Sequence, residues 1–251
     1  MLHLKGFTQQ PPSKFVRLAV FGDIHGNLPA FEAVLADVRQ QSPDALLCLG
    51  DVAAGGAWPR ECIQLLASLG CPVVLGNADE DMLEPRPFGA RGFPDEQKIY
   101  DLDEWGREQL TAAELEYLRG HRDTVELPGL LAFHGSPQSC RESIGAATPE
   151  ERLTELRARF GMQAVWVGGH MHQALLCSLD GWRLLNPGSV GLAYEKRGDR
   201  YVNISRAEYL ILDGEGIQFR RVAYDVQAVQ AGILDWKMPH AEWWAGEWVN
   251  G

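Results

Sequence analysis

The chain has no uninterrupted apolar stretch of 18 residues or more among its 251, which excludes a hydrophobic membrane-spanning helix. It is also poor in usable cysteine. The five, at positions 48, 62, 71, 140 and 177, are odd in number and form no C-x-x-C pair, so a disulfide framework or a thiolate zinc site is not expected. They read as reduced thiols, mostly inside apolar stretches. Positive charge is scarce too: 23 Lys and Arg stand against 34 Asp and Glu, a formal net charge of -11. That balance argues against extended nucleic-acid contact, which needs clustered cations to displace counterions. It leaves room for phosphate binding where bound cations reverse the local field. Residues 1–14 lack the apolar core of a secretory signal, so a cytoplasmic location is expected, and Pro11 and Pro12 suggest a loose lead-in. No stretch reads as a linker, and the length suits one domain spanning residues 1–251.

What the chain does have is a strand–loop–helix rhythm. Residues 15–21 read as a strand that runs into Gly22-Asp23-Ile24-His25-Gly26-Asn27, after which residues 28–41 show helical spacing with Asn27 as cap. Residues 45–49 form a second apolar run, ending in Gly50-Asp51. A helix over 59–69 opens on proline, and a third strand over 72–75 ends in Gly76-Asn77-Ala78-Asp79. Connections of this kind place three parallel strands in one sheet with their ends on one side. From about 82 to 122 the rhythm breaks into a Pro- and Gly-rich loop and helices near 100–110 and 111–118, the second opened by the capping box Thr111-Ala112-Ala113-Glu114. This reads as a helical insertion beside or over the strand ends. A hairpin over 125–133 then ends in His134-Gly135, and a helix from Thr148 to Phe160 leads to a strand over 164–167 ending in Gly169-His170-Met171-His172. Hairpins over 174–185 and 209–222 and a helix over 225–234 follow. The last segment, about 236–251, carries four tryptophans, too many for a random tail; it is expected to pack on the body or to join a homo-oligomer.

Each of these loop residues has an ordinary reading by itself. Asp-x-His between glycines is also a turn with a helix cap, and His134 could be a satisfied core histidine. Together, Asp23, His25, Asp51, Asn77, His134, His170 and His172 occupy like positions in a repeated pattern and include four of the seven histidines. Two Asp, one Asn and four His exceed what one tetrahedral ion uses, so two divalent ions about 3.5–4 Å apart are expected, bridged by a carboxylate and a water or hydroxide. Mixed nitrogen and oxygen donors suit Mn first, with Fe, Co, Ni or Zn as alternatives.

In this order the motifs resemble those of the calcineurin-like metallophosphoesterases, over roughly residues 16 to 190, with the compact YfcE-like phosphodiesterase branch the nearest match. The resemblance implies an α/β fold, a four-layer α/β/β/α sandwich of two mixed sheets. It also implies that Asp23, His25 and His172 hold a first metal, that Asn77, His134 and His170 hold a second, and that Asp51 bridges. Asp51, Asn77 and His134 would act with a metal-bridging hydroxide as nucleophile on a small phosphoester, most simply a diester. Many relatives carry Gly-Asn-His-Asp/Glu, whose histidine protonates the leaving oxygen. Here that position is Ala78, so Asp79 is left a structural role and good leaving groups should be preferred. Other readings are a non-catalytic scaffold like the retromer subunit of the same fold, a protein Ser/Thr phosphatase, or a dinucleoside polyphosphate hydrolase.

Overall fold

The computed structural model describes residues 17–89, 95–198, 200–214 and 216–251. Strand β1 (Leu18–Phe21) is buried at every position because both its faces are covered. Residues 15 and 16 of the expected strand, like the lead-in before it, lie outside the described residues. Helix α1 (Leu28–Gln41) starts where Asn27 accepts a bond from the Ala30 amide and stops at Ser42 in the left-handed region. Strand β2 (Ala45–Cys48) lies parallel to β1, with Phe21 opposite Cys48. Helix α2 (Pro59–Leu69) opens on proline and closes at Gly70. The third strand expected over 72–75 is reduced to isolated bridges, Cys48 to Val73 and Val74 to Arg122. The chain turns at once into helix α3 (Asn77–Leu83), so Asn77 sits on a first helical turn instead of a loop. Helices α4 (Glu96–Glu108) and α5 (Ala112–Arg119) follow, the first starting four residues earlier than its spacing predicts. Residues 90–94, within the expected Pro- and Gly-rich loop, lie outside the described residues.

Strands β3 (Thr124–Leu127) and β4 (Leu130–Phe133) pair as the expected hairpin. Helix α6 (Glu150–Phe160) leads to β5 (Val165–Val167), parallel to β4, and then to the β6 (Ala174–Leu179) and β7 (Trp182–Pro187) hairpin. A hairpin of β8 (Tyr194–Arg197) and β9 (Arg200–Ile204) comes next, which the sequence did not reveal because β8 is short and charged. Strands β10 (Arg206–Asp213) and β11 (Gly216–Ala223), helices α7 (Val226–Asp235) and α8 (Ala241–Gly246), and a short β12 (Trp248–Val249) complete the chain.

Two mixed sheets, ordered β11-β10-β1-β2 and β3-β4-β5-β7-β6, stack on one another. Alternation along each strand decides which side each residue serves. Val20, Leu47 and Leu210 point between the sheets toward Ala132, Val167 and Leu185. Ala19, Phe21 and Ile211 face the other way, onto Phe31, Val34, Ile63 and Leu66 of α1 and α2. On the far side, Leu153 and Leu156 of α6 cover Phe133, Trp166 and Trp182. The result is the expected α/β/β/α sandwich, with the three-stranded sheet β12-β9-β8 added at its side. The C-terminal segment packs on the body: Trp244 and Trp248 are buried with Ala57, Leu102 and Ile233, while Trp236 is half exposed.

Candidate metal centre

Strands β1, β2, β4 and β5 run the same way and deliver their following loops to one edge, where ligands gather in open α/β sheets. The loops are tied to one another by backbone bonds. The amides of Asp23, His25 and Gly26 donate to the carbonyls of Gly50, Asp51 and Val52, each at 2.9 Å, and the Gly169 amide donates to His134 at 2.8 Å. Asp23, His25, Asp51, His170 and His172 all have φ between 51° and 67°. These are five of the nine non-glycine residues with positive φ among the described residues. Each such backbone costs of order 1–3 kcal/mol and persists only where its surroundings enforce it.

Asp79 does much of that enforcing. Its carboxylate, fully buried, accepts from the amides of Asp51 and Val52 at 2.8 Å and of Gly76 at 3.2 Å. The structural role expected of it is thus filled, and the same bonds leave it uncommitted to any histidine at position 78. The Ala78 amide in turn donates to Asp51 Oδ1 at 2.7 Å, which turns Oδ2 toward the imidazoles. Gly76 is required here, because a Cβ would collide with Asp51 Oδ1.

The tautomers follow from the partners. Nδ1 of His25, His134 and His172 lies 3.0, 2.7 and 2.9 Å from the carbonyls of Ala54, Leu49 and Leu192. A carbonyl only accepts, so each Nδ1 carries a hydrogen, and each Nε2 presents a lone pair whenever its ring is neutral. Those lone pairs face other acceptors. His25 Nε2 is 3.0 Å from His172 Nε2, His134 Nε2 is 3.1 Å from Asn77 Oδ1, and Asp51 Oδ2 lies 3.3 Å from His134 and 3.6 Å from His25. Asp23 Oδ1 is 3.3 Å from His172 Nε2. Acceptors converging in this way repel unless a proton or a metal cation lies among them. Asp23, His25, Asp51 and His172 each offer an atom within 4.8 Å of the others. Asn77 and His134 adjoin this group through Asp51. His170 is beside them, its ring 5.2 Å from that of His134, and its backbone amide holds the Asp23 carboxylate.

The electrostatics agree. Burial alone would raise Asp51, but the charges of His134 and His25 and the Ala78 amide carry it well below the usual carboxylate range. Asp23, raised by burial, is brought down by His172. Burial would lower His134, yet Asp51 and Asp23 push it up to about 10, and Asp23 likewise raises His172. His25 is lowered by burial and by His172, and His170 by burial and by His134. The site therefore draws in positive charge. A donor set of imidazole and carboxylate groups without thiolate fits borderline divalent ions.

A cleft of about 440 Å³ opens over this edge, lined by His25, Asn77 and Ala78 below and by Ile99 and Leu102 of α4, Leu192 and Trp244 above. Sequence reasoning missed the supports: Asn186 Nδ2 donates to the Gly169 carbonyl at 2.6 Å and Ser189 Oγ to the Asp23 carbonyl at 2.8 Å. Their signal was the run Asn186-Pro187-Gly188-Ser189 at the end of an apolar strand.

Stacked mixed sheets with Asp and His loops at one edge form the metallophosphoesterase fold. The chain belongs to the calcineurin-like phosphoesterase family, which matches residues 16–174. It is 27% identical to the uncharacterized protein MJ0912 of Methanocaldococcus jannaschii over 244 residues, 92% of this chain and 96% of that one. A metallophosphoesterase from Sphaerobacter thermophilus superposes with a TM-score of 0.72 at 26% identity, covering 92% of this chain and 97% of that chain. The hypothetical protein PH1004 from Pyrococcus horikoshii OT3 shares the fold, with a TM-score of 0.75 at 20% identity over 90% and 95% of the two chains. Among the described residues no helix is long and apolar enough to cross a membrane.

Proposed function

We propose that the protein is a phosphoesterase dependent on two divalent transition-metal ions, acting on a small phosphodiester. Asp23, His25 and His172 would hold one ion, Asn77, His134 and His170 the other, with Asp51 between them. The observation that carries the reading is the convergence of three Nε2 atoms, aimed by the carbonyls that hold Nδ1 of His25, His134 and His172, on the carboxylates of Asp23 and Asp51. Bound there, two ions would supply an acidified water and a clamp for phosphoryl oxygens. The chain's own part is positional. Ala78 N–H orients Asp51, Asp79 holds the loop that carries it, and Ile99, Leu102 and Trp244 shield one side of the cleft from water.

Ala78 lines the cleft without offering a proton, so the departing oxygen must carry its charge largely unaided. Aryl esters should be hydrolysed well and alkyl esters slowly. Elemental analysis of protein prepared without chelator tests the metal content, and aryl mono- and diesters assayed with Mn, Co or Ni test the activity. A saturating stoichiometry of one ion per chain rejects the two-metal site. Full loading without hydrolysis of any aryl ester rejects the enzyme reading.

A further inference from the structure

A second concavity, of about 520 Å³, adjoins the first and shares Ile99 and Trp244 with it. Four aromatic rings stand in its walls: Tyr194 and Tyr201 from the β8–β9 hairpin, and Trp243 and Trp244 from α8. Tyr194 reaches from this cleft to the metal centre. Its ring lies 6.3 Å from that of His172, and its hydroxyl accepts from Gln173 Nε2 at 3.1 Å. Tyr201 meets Tyr194 edge-on at 5.4 Å and is still 60% exposed, so packing within the protein does not account for it. Arg200, Asn203, Asp95 and Glu247 add a cation, an amide and two carboxylates to the same walls, a mixture that suits the donor and acceptor edge of a neutral ring and leaves the anionic phosphate to the metal centre.

We propose that this cleft is a subsite for the base of a nucleotide-type substrate whose phosphate lies at the metal centre. The inference rests on the phosphoesterase reading and gives it a substrate class. A broad, shallow concavity of this size suits one part of a small ligand laid against its wall. Tyrosine and tryptophan walls favour a flat ring, on which a base can stack whatever its sequence identity. The polar groups favour a ring with hydrogen-bonding edges over a plain hydrocarbon. The His172 and Tyr194 rings stand side by side, so one ligand can place a phosphate at the first and a ring at the second, with a sugar between.

The test is calorimetric and does not depend on turnover. Adenosine monophosphate and ribose 5-phosphate differ only by the base, and each is titrated into the full chain supplied with Mn²⁺. The nucleotide is expected to bind about tenfold or more tightly than the sugar phosphate, in line with the value of stacking one base. In Tyr201→Ala, whose exposed ring can be removed without opening the core, that ratio should collapse toward one; Trp243→Ala is a second variant that should reduce it. A ratio near one in the wild type overturns the proposal, as does an unchanged ratio in both variants. Failure of the phosphoesterase reading looks different, since it would show as absent hydrolysis whatever the two affinities are.

Discussion

The floor and the wall of the cleft are built on opposite plans. The floor consists of loops following β1, β2, β4 and β5, buried, left-handed at five non-glycine residues and cross-tied through Asp79, Ala78 and paired backbone amides. The wall consists of α4, α8 and the β8–β9 hairpin, held by apolar and aromatic packing and by ion pairs that reach the surface, such as Lys98 with Asp95. The floor spends conformational freedom to fix donor atoms. The wall only has to be the right shape. Substitutions in the floor should therefore change chemistry sharply, whereas substitutions in the wall should change selectivity or stability by modest amounts.

The largest effect is expected at Asp51, whose Oδ2 lies between two imidazoles. Asp51→Asn should weaken both metal sites and lower hydrolysis by more than the roughly 10–100-fold that losing an outer partner of a ligand costs. Metal titration and initial rates on an aryl diester check it. Retention of two tightly bound ions would show that Asp51 does not link the two halves of the floor.

Next comes Asp79, which touches no donor atom of the centre but holds three buried amides. Asp79→Ala strands those donors at about 1–3 kcal/mol each, so lower thermal stability is expected. Asp79→Asn, which keeps one acceptor, should fold and yet lose roughly 10–100-fold in metal affinity. If Asp79→Asn loses stability while its metal affinity is untouched, the floor does not depend on this brace.

The floor was legible in the sequence and the wall was not. Every candidate donor sits next to a glycine or within three residues of one at the end of an apolar run, so type and spacing alone point all seven to one edge, where Asp23, His25, Asp51 and His172 form the tightest group. What sequence could not supply was conformation. Asn77 belongs to a helix because the run before it is too short to make more than bridges, and the left-handed backbones of Asp23, His25, Asp51, His170 and His172 follow from ties between loops distant in sequence. The wall depends on contacts such as Trp244 Nε1 donating to the Gly55 carbonyl at 2.7 Å, 189 positions away, which no local pattern announces. The β8–β9 hairpin carries too few apolar residues to announce itself.

A smaller effect lies where floor meets wall. Ala78 stands at the cleft, and a histidine there could donate a proton to a leaving oxygen. A well-oriented general acid is worth roughly 10²–10⁴ in rate. Asp79 already accepts from the amides of Asp51, Val52 and Gly76, which leaves it little capacity to orient the ring. Ala78→His should therefore help alkyl diesters by about tenfold at most, and aryl diesters less, for want of a fixed ring. Rates across a series of leaving-group pKa values check this. A gain of the full size would mean that another residue positions the imidazole.

The smallest effect is expected away from both, at Glu114 of α5. This buried carboxylate closes the capping box of α5, accepting from the Thr111 hydroxyl and, at 2.8 Å, from the Thr111 amide, and it takes a bond from Gln64 of α2 at 2.9 Å. The Thr111 hydroxyl first, and Gln64 after it, pull its pKa down to about 2 from an ordinary 4.5. A carboxyl depressed by folding contributes stability that is fully present above its unfolded value and is lost as pH falls toward its folded value. Glu114→Gln should thus cost about 1 kcal/mol near neutrality, the scale of a lost cap, and the gap between wild type and variant should close between pH 4.5 and about 2. Denaturant midpoints of both proteins across that range give the comparison, because other carboxyls titrate alike in the two and cancel. Metal affinity at neutral pH should be the same in both proteins. A drop in the variant would mean that α5, through α2 or α3, helps to hold the floor, and the division between a fixed floor and a shaped wall would have to be redrawn at that helix.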